Sequence, residues 1–131
     1  MSAGYSATPQ SRKLGLKAGL RVGLIGAPDG WALADPPPLE PVAGDGSADV
    51  LVRFVRSAAE LEALSDHGRQ IHPDGALWIA WPRRAAGHDS DVTENAIRAA
   101  ALPLGLVDVK VAAIDDDWSG LKLVWRRERR G

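Results

Sequence analysis

Asp49-Val50-Leu51-Val52-Arg53-Phe54-Val55 is the stretch that decides the fold. It is apolar on both faces except at Arg53. That pattern suits a strand covered by helices on both sides of a sheet. Ser57-Ala58-Ala59-Glu60 follows at once and forms a capping box. The serine oxygen can take the Glu60 amide while the Glu60 side chain reaches back to the Ser57 amide. Leu61 and Leu64 then lay down a helical stripe, which fades near His67-Gly68 or runs on to Ile71.

Moving toward the C-terminus, Pro73-Asp74-Gly75 is a turn and Ala76 to Trp81 a second buried strand, stopped by Pro82. Arg83 to Ser90 is a polar loop. A helix is expected from about Asp91 to Ala101, with Asp91 and Glu94 near its start where the helix dipole favours negative charge. Pro103 and Gly105 end it. Leu106 to Ile114 alternates, with Val107, Val109, Val111 and Ala113 on one face. Asp115-Asp116-Asp117-Trp118-Ser119-Gly120 is a loop of hairpin length. Leu121 to Arg127 alternates again, so the last two runs read as an antiparallel pair.

Moving the other way, Asp49 is preceded by the loop Gly44-Asp45-Gly46-Ser47. Leu39 to Ala43 reads as a short strand that Pro41 confines to an edge. The triple proline Pro36-Pro37-Pro38 must stop any helix before it, since proline cannot donate to a helix ladder. Trp31-Ala32-Leu33-Ala34 is expected to form one or two helical turns. Arg21 to Ile25 is the first strand, and Gly26-Ala27-Pro28-Asp29-Gly30 is a strong loop signal. Residues 1–19 form a lead-in. Thr8-Pro9 marks a short helix there, which Leu14 and Leu16 anchor to the core.

Strand–helix–strand–helix–strand calls for a parallel sheet with right-handed crossovers. A final strand that turns back resembles the second half of the class I methyltransferase fold, with the first half shortened. The expectation is a single domain over residues 1–131. It is an α/β, Rossmann-like three-layer αβα sandwich with a mostly parallel sheet and a C-terminal antiparallel hairpin. Its confident strands lie in the order 1-2-3-5-4, with the segment near Leu39 outside strand 1. In such sheets ligands bind beyond the carboxyl ends of the parallel strands. That edge gathers Asp29, Arg56, Arg83, Arg84, His88, Asp115, Asp117 and Trp118.

The totals exclude several chemistries. There is no cysteine among the 131 residues, which removes disulfides, thiolate metal sites and cysteine nucleophiles. Sixteen basic and 17 acidic residues leave a net charge of −1, which argues against a dedicated nucleic-acid binder. The one basic run, Arg126 to Arg130, reads as a solvated tail. The three histidines lack ligand spacing, so no metal is expected. No stretch reaches the length of a membrane span, the N-terminus has no apolar signal core, and the expected location is the cytoplasm.

The candidate chemistry lies on the carboxyl edge. The loop Gly26 to Gly30 sits where a nucleotide-binding fold carries its glycine loop. Pro28 removes an amide donor, and the G-x-G-x-x-G pattern is absent. No motif therefore indicates a cofactor, and Asp29 is available to cap a following helix. Trp81-Pro82-Arg83-Arg84 can hold an anionic or planar ligand by bidentate hydrogen bonds and stacking. The plainer reading is a core tryptophan and two solvated cations. Asp115-Asp116-Asp117 invites a metal, but adjacent carboxylates seldom converge on one ion, and shaping of the hairpin under Trp118 is the simpler account. Arg53 needs a carboxylate partner if buried, with Asp108 or a near neighbour available. His88 has no nucleophile or orienting acid supplied with it, and Ser57 is explained by its capping box.

The chain resembles a family of small bacterial proteins classed as a domain of unknown function. The resemblance rests on Tyr5-Ser6, Thr8-Pro9, Lys13-Leu14-Gly15, Ala27-Pro28-Asp29-Gly30, Leu77-Trp78-Ile79-Ala80-Trp81-Pro82, Gly105-Leu106-Val107-Asp108-Val109-Lys110 and Asp115 with Trp118-Ser119-Gly120-Leu121-Lys122. It spans most of the chain. The family pattern carries lysine after Trp81-Pro82, whereas Arg83 stands here. Arginine keeps the charge without lysine's tunable pKa. The resemblance implies no substrate. The residues themselves suggest a non-enzymatic binding or regulatory module. Its carboxyl-end rim, through Asp29, Trp81, Arg83, Arg84, Asp115 and Trp118, would take a small anionic ligand or a protein partner. The competing class is a reduced S-adenosylmethionine-dependent methyltransferase or another transferase.

Overall fold

Six strands form one sheet in the computed structural model, which describes residues 8–84, 87 and 90–130. They are β1 (Arg21–Ile25), β2 (Glu40–Pro41), β3 (Val50–Phe54), β4 (Ala76–Pro82), β5 (Leu106–Ala113) and β6 (Trp118–Trp125), in the spatial order β2-β1-β3-β4-β6-β5. β2, β1, β3 and β4 pair in parallel, while β6 runs antiparallel to both β4 and β5. The expected order therefore holds, with the short strand from the 39–43 segment outside β1. His88 and Tyr5-Ser6 lie outside the described residues. No described helix is long and apolar enough to cross a membrane.

Strand alternation divides the core in two. On one face Leu51, Val55, Leu77, Ile79, Trp81, Leu121 and Leu123 meet the helices α2 (Leu64–Ile71) and α3 (Glu94–Ala101). Two right-handed crossovers in the same direction place both helices on this side. The other face, with Val52, Phe54, Trp78 and Ala80, is covered more thinly. Its cover is the five-residue helix α1 (Gln10–Leu14) and the irregular 26–39 segment, which contributes Trp31, Leu33 and Leu39. The fully buried Trp78 ties the two layers together by donating from Nε1 to the Leu14 carbonyl at 3.2 Å.

The helix starts follow their caps. The Ser57 box opens a 3₁₀ segment, Ala58–Ala63, that runs directly into α2. α2 continues to Ile71 through Gly68, where a Cβ would come within 2.9 Å of the Trp125 ring. α3 starts at Glu94 rather than Asp91, because Thr93 caps it by accepting from the Ala96 amide at 3.1 Å. Asp91 instead accepts from the Ala58 amide at 2.8 Å, at the start of the other helical segment.

Two expectations fail for local reasons. Residues 31–34 form no helix. Gly30 and Asp35, at φ 77° and 44°, bracket them with left-handed backbone, and four residues are too few to repay helix nucleation. The clean alternation of β5 is interrupted at Val109. The register steps from Asp108↔Leu123 to Lys110↔Lys122, so Val109 is a bulge. Val109 and Val111 remain 55% and 48% exposed.

The sheet's flanks are built differently. At β2 the amides of Glu40 and Val42 both donate to β1, at 2.9 and 3.0 Å on Leu20 and Val22 carbonyls. Pro41 stands between them and has no amide hydrogen. The basic C-terminal run is exposed over residues 126–129, as expected of a solvated tail, and its backbone folds back on the sheet edge. The Arg126 amide donates to the Gly105 carbonyl at 2.9 Å, and Arg130 Nε to the Trp125 carbonyl at 2.8 Å.

Candidate functional site

The carboxyl ends of β1, β3 and β4, with the β5–β6 turn, form one rim. The chain leaves β1 through Gly26, at φ 75°. A Cβ there would stand 2.8 Å from the Phe54 carbonyl oxygen and 2.9 Å from Arg53 Nη1, so this crossing requires glycine. The loop then closes a turn, with the Trp31 amide donating to the Pro28 carbonyl at 3.0 Å. Asp29 sits exposed at its tip. No helix follows for Asp29 to cap.

Trp31 swings back over the sheet end. Its ring meets Phe54 edge-on at 4.8 Å, and Phe54 meets Trp118 at 5.0 Å and 88°. Such T-shaped contacts are favourable beyond the area they bury. Trp31 Nε1 donates to Asp115 Oδ2 at 2.8 Å. The other oxygen, Oδ1, accepts from the amides of Asp117 and Trp118 at 2.8 and 2.9 Å. One carboxylate thus shapes the hairpin and holds the loop from β1 against it. This bears out the hairpin reading of the aspartate run. Among the described residues no group of three or more metal-binding side chains is assembled.

The arginines differ in how far they are built into the rim. Arg83 is built into the turn: its amide donates to the Asp117 carbonyl at 2.9 Å, and Nη1 reaches the Asp115 and Asp116 carbonyls at 3.2 and 3.3 Å. Arg56 lies over the Trp118 ring, 5.4 Å from its centroid, with Nη1 donating to the Gly26 carbonyl at 3.1 Å. It is exposed, as is Arg84. Arg53 pairs with Glu60 at 3.5 Å rather than with Asp108, which binds Arg98 at 2.9 Å. β3 and the 3₁₀ turn bring Glu60 to Arg53, whereas Asp108 lies at the far edge strand. Burial alone would raise the Glu60 carboxyl. The Arg56 and Ser57 amides, the Ser57 hydroxyl and the Arg53 charge outweigh it and hold Glu60 below its ordinary value.

Of the six residues expected at the site, Arg83, Asp115 and Trp118 come together. Asp29 and Arg84 stand exposed in loops at the same edge. Trp81 does not join them: its ring is buried in the α2–α3 face, while Trp118 packs on the opposite face. Strand parity sets this, since Trp81 shares its face with Ile79 and Leu77. Sequence reading missed Trp31 because it was assigned to a helix. It placed Arg56 on the carboxyl edge, after β3, but left it out of the six candidate ligand-binding residues.

The arrangement is an aromatic cluster of Phe54, Trp31 and Trp118 with the exposed Arg56 over the Trp118 ring. The rim carboxylate Asp115 is held by three donors. Such a surface can attract anions and planar groups through charge and stacking.

Comparison with known proteins adds the fold relationship. The profile of the family described as "Protein of unknown function (DUF3052)" matches residues 42–127. No curated protein matches the chain. Among solved structures, the Methanococcus jannaschii fibrillarin pre-rRNA processing protein is similar at 16% identity and a TM-score of 0.55, over 92% of this chain and 70% of that one. Aeropyrum pernix fibrillarin, with natively bound S-adenosyl-L-methionine, is similar at 17% identity and a TM-score of 0.54, over 88% and 73%. A ribosomal protein L11 methylase from Lactobacillus delbrueckii subsp. bulgaricus is similar at 11% and 0.54, over 83% and 71%. The shared fold is that of Rossmann-like methyltransferases.

Proposed function

We propose, from the premise that this chain belongs to the DUF3052 family of proteins of unknown function, that it is a non-catalytic binding module. Its carboxyl-end rim takes an anionic group of a small ligand or partner protein. The observation that carries this reading is how the rim's polar groups are spent. Asp115 and Arg83 are consumed in holding the turn and the Trp31 loop. Arg56 is left exposed, stacked on Trp118 and bonded only to the Gly26 carbonyl, and Arg84 is exposed in the loop after β4. A guanidinium preorganised on an aromatic face loses little freedom on binding an anion.

The fold favours a second reading, a reduced S-adenosylmethionine-dependent methyltransferase, because the similar solved structures include methyltransferases. The loop after β1 supports it poorly. Only Gly26 and Gly30 remain there, and Pro28 has no amide to offer a ligand.

Thermal unfolding with citrate, ADP and S-adenosylmethionine separates the two. On our reading an anion raises the midpoint, by linkage of about 2.7 kcal/mol at a hundredfold excess over Kd, and Arg56→Ala abolishes the rise. Stabilisation by S-adenosylmethionine that is lost in Asp29→Ala overturns the reading.

A further inference from the structure

Arg53 carries a mostly buried guanidinium that closes no hydrogen bond among the described residues. Its side chain keeps 18% of its surface exposed, and its ion-pair partner, Glu60 Oε1, stands 3.5 Å from Nη2. Nε is covered and unpartnered. Nη1 is unbonded too, yet it is not covered, and a Cβ at Gly26 would stand 2.9 Å from it. We infer that Arg53 is a second anion-binding residue of the rim, and that the group it takes together with Arg56 is a phosphoryl group. This rests on the binding role proposed for the rim.

The two arginines meet at one residue. Arg56 Nη1 donates to the Gly26 carbonyl at 3.1 Å, and Arg53 Nη1 lies where the Gly26 side chain would be. Arg53 shares the sheet face of Leu51 and Val55, while Arg56 lies over Trp118, which packs on the other face. Their donors therefore approach the end of β3 from two sides.

One carboxylate serves both cations. Glu60 Oε2 accepts from the Arg56 and Ser57 amides and the Ser57 hydroxyl, so only Oε1 is left for Arg53. Asp91 is taken by the Ala58 amide, and Asp115 by its three donors. Two guanidinium charges against Glu60 leave the exit of β3 with an excess positive charge. A largely buried charge short of hydrogen bonds is costly, and a bound anion supplies what is missing. A phosphoryl group offers three strong acceptor oxygens and close to two negative charges. Its oxygens point in different directions, which suits forks on two side chains. A carboxylate offers two oxygens in one plane.

Inorganic phosphate and acetate, titrated into the intact chain by calorimetry, are the probes, while ¹⁵N spectra of the arginine side chains follow each guanidinium. We expect phosphate to bind more tightly than acetate and to shift the Arg53 and Arg56 resonances together. Arg53→Lys keeps the charge but loses the fork. It should weaken phosphate binding about tenfold, the worth of one charged hydrogen bond. The spectra of the unaltered protein read Arg53 however that variant folds. ADP and a short phosphoserine peptide, titrated in turn, separate a nucleotide from a modified protein as the carrier of the group. A shift at Arg56 alone overturns this inference and leaves the rim reading standing. Acetate binding as tightly as phosphate overturns the phosphoryl assignment. If no anion moves either arginine, the rim reading falls and this inference falls with it.

Discussion

Trp31 and Asp115, 84 residues apart in the chain, are joined across the rim by a 2.8 Å bond from the indole Nε1 to Oδ2. This contact holds the Trp31 end of the irregular 26–39 segment onto the sheet end, while α1 holds its middle through the Ala34 amide, which donates to Gln10 Oε1 at 2.8 Å. A hydrogen bond to a charged acceptor is worth about 1.5–3 kcal/mol. Trp31→Phe, which keeps the ring on Phe54, should cost about 1–2 kcal/mol in urea unfolding. Asp115→Ala should cost more, since the Asp117 and Trp118 amides lose their acceptor as well. A double-mutant cycle should show coupling of about 1 kcal/mol. Additivity within about 0.5 kcal/mol would mean the bond does not latch the loop.

Stability should fall in acid, with Glu60 as a contributor. Glu60, Asp49 and Asp108 are all held below their ordinary values. The Arg21 side chain is the main cause at Asp49, and that of Arg98 at Asp108. A depressed carboxyl contributes stability that is complete above its unfolded pKa, about 4, and is lost as pH drops through the folded value. The urea midpoint should hold between pH 7 and 5 and decline below about 4. Glu60→Gln should cost about 0.5–1.5 kcal/mol at pH 7 through the weakened cap and show a shallower acid decline. An equal decline in both proteins would remove Glu60 from the account.

Gly26 and Gly30 share a left-handed backbone but not the same surroundings. A Cβ at Gly30 meets nothing within 4 Å, whereas at Gly26 it strikes the Phe54 carbonyl. Gly30→Ala should cost about 1–2 kcal/mol, the left-handed strain alone. Gly26→Ala should cost about 2–4 kcal/mol, since backbone must move as well. Equal costs would show that the β1 exit relaxes freely.

Val111 and Leu121 face each other in the hairpin register, yet one is half exposed and the other has no exposed surface. Leu121→Ala should therefore cost about 2–5 kcal/mol and Val111→Ala less than about 0.5 kcal/mol. Chemical unfolding of the two variants checks the contrast.

Much of the fold was legible because it is written in local pattern. Apolar runs ending at Val55 and Trp81, and the return of Leu121 to Trp125, specify strands whose pairing follows from crossover handedness. What escaped depends on contacts between distant segments. Trp31 takes its conformation from Asp115 and Phe54, so its local helical look carried no weight. Val109 is extruded by a register step that alternation cannot reveal. The burial of Trp81 on the face away from Trp118 follows from strand parity, and counting from Leu77 would have shown it.

The two flanks of the sheet have a consequence for how molecules of this protein meet one another. At β2 the position whose amide would face a newcomer is Pro41, and at β5 the ladder is broken by the Val109 bulge beside Lys110. An incoming strand would find a missing donor on one side and a kinked, charged border on the other. The sheet therefore stops at six strands by construction, and crowded copies are not invited to zip together into fibres.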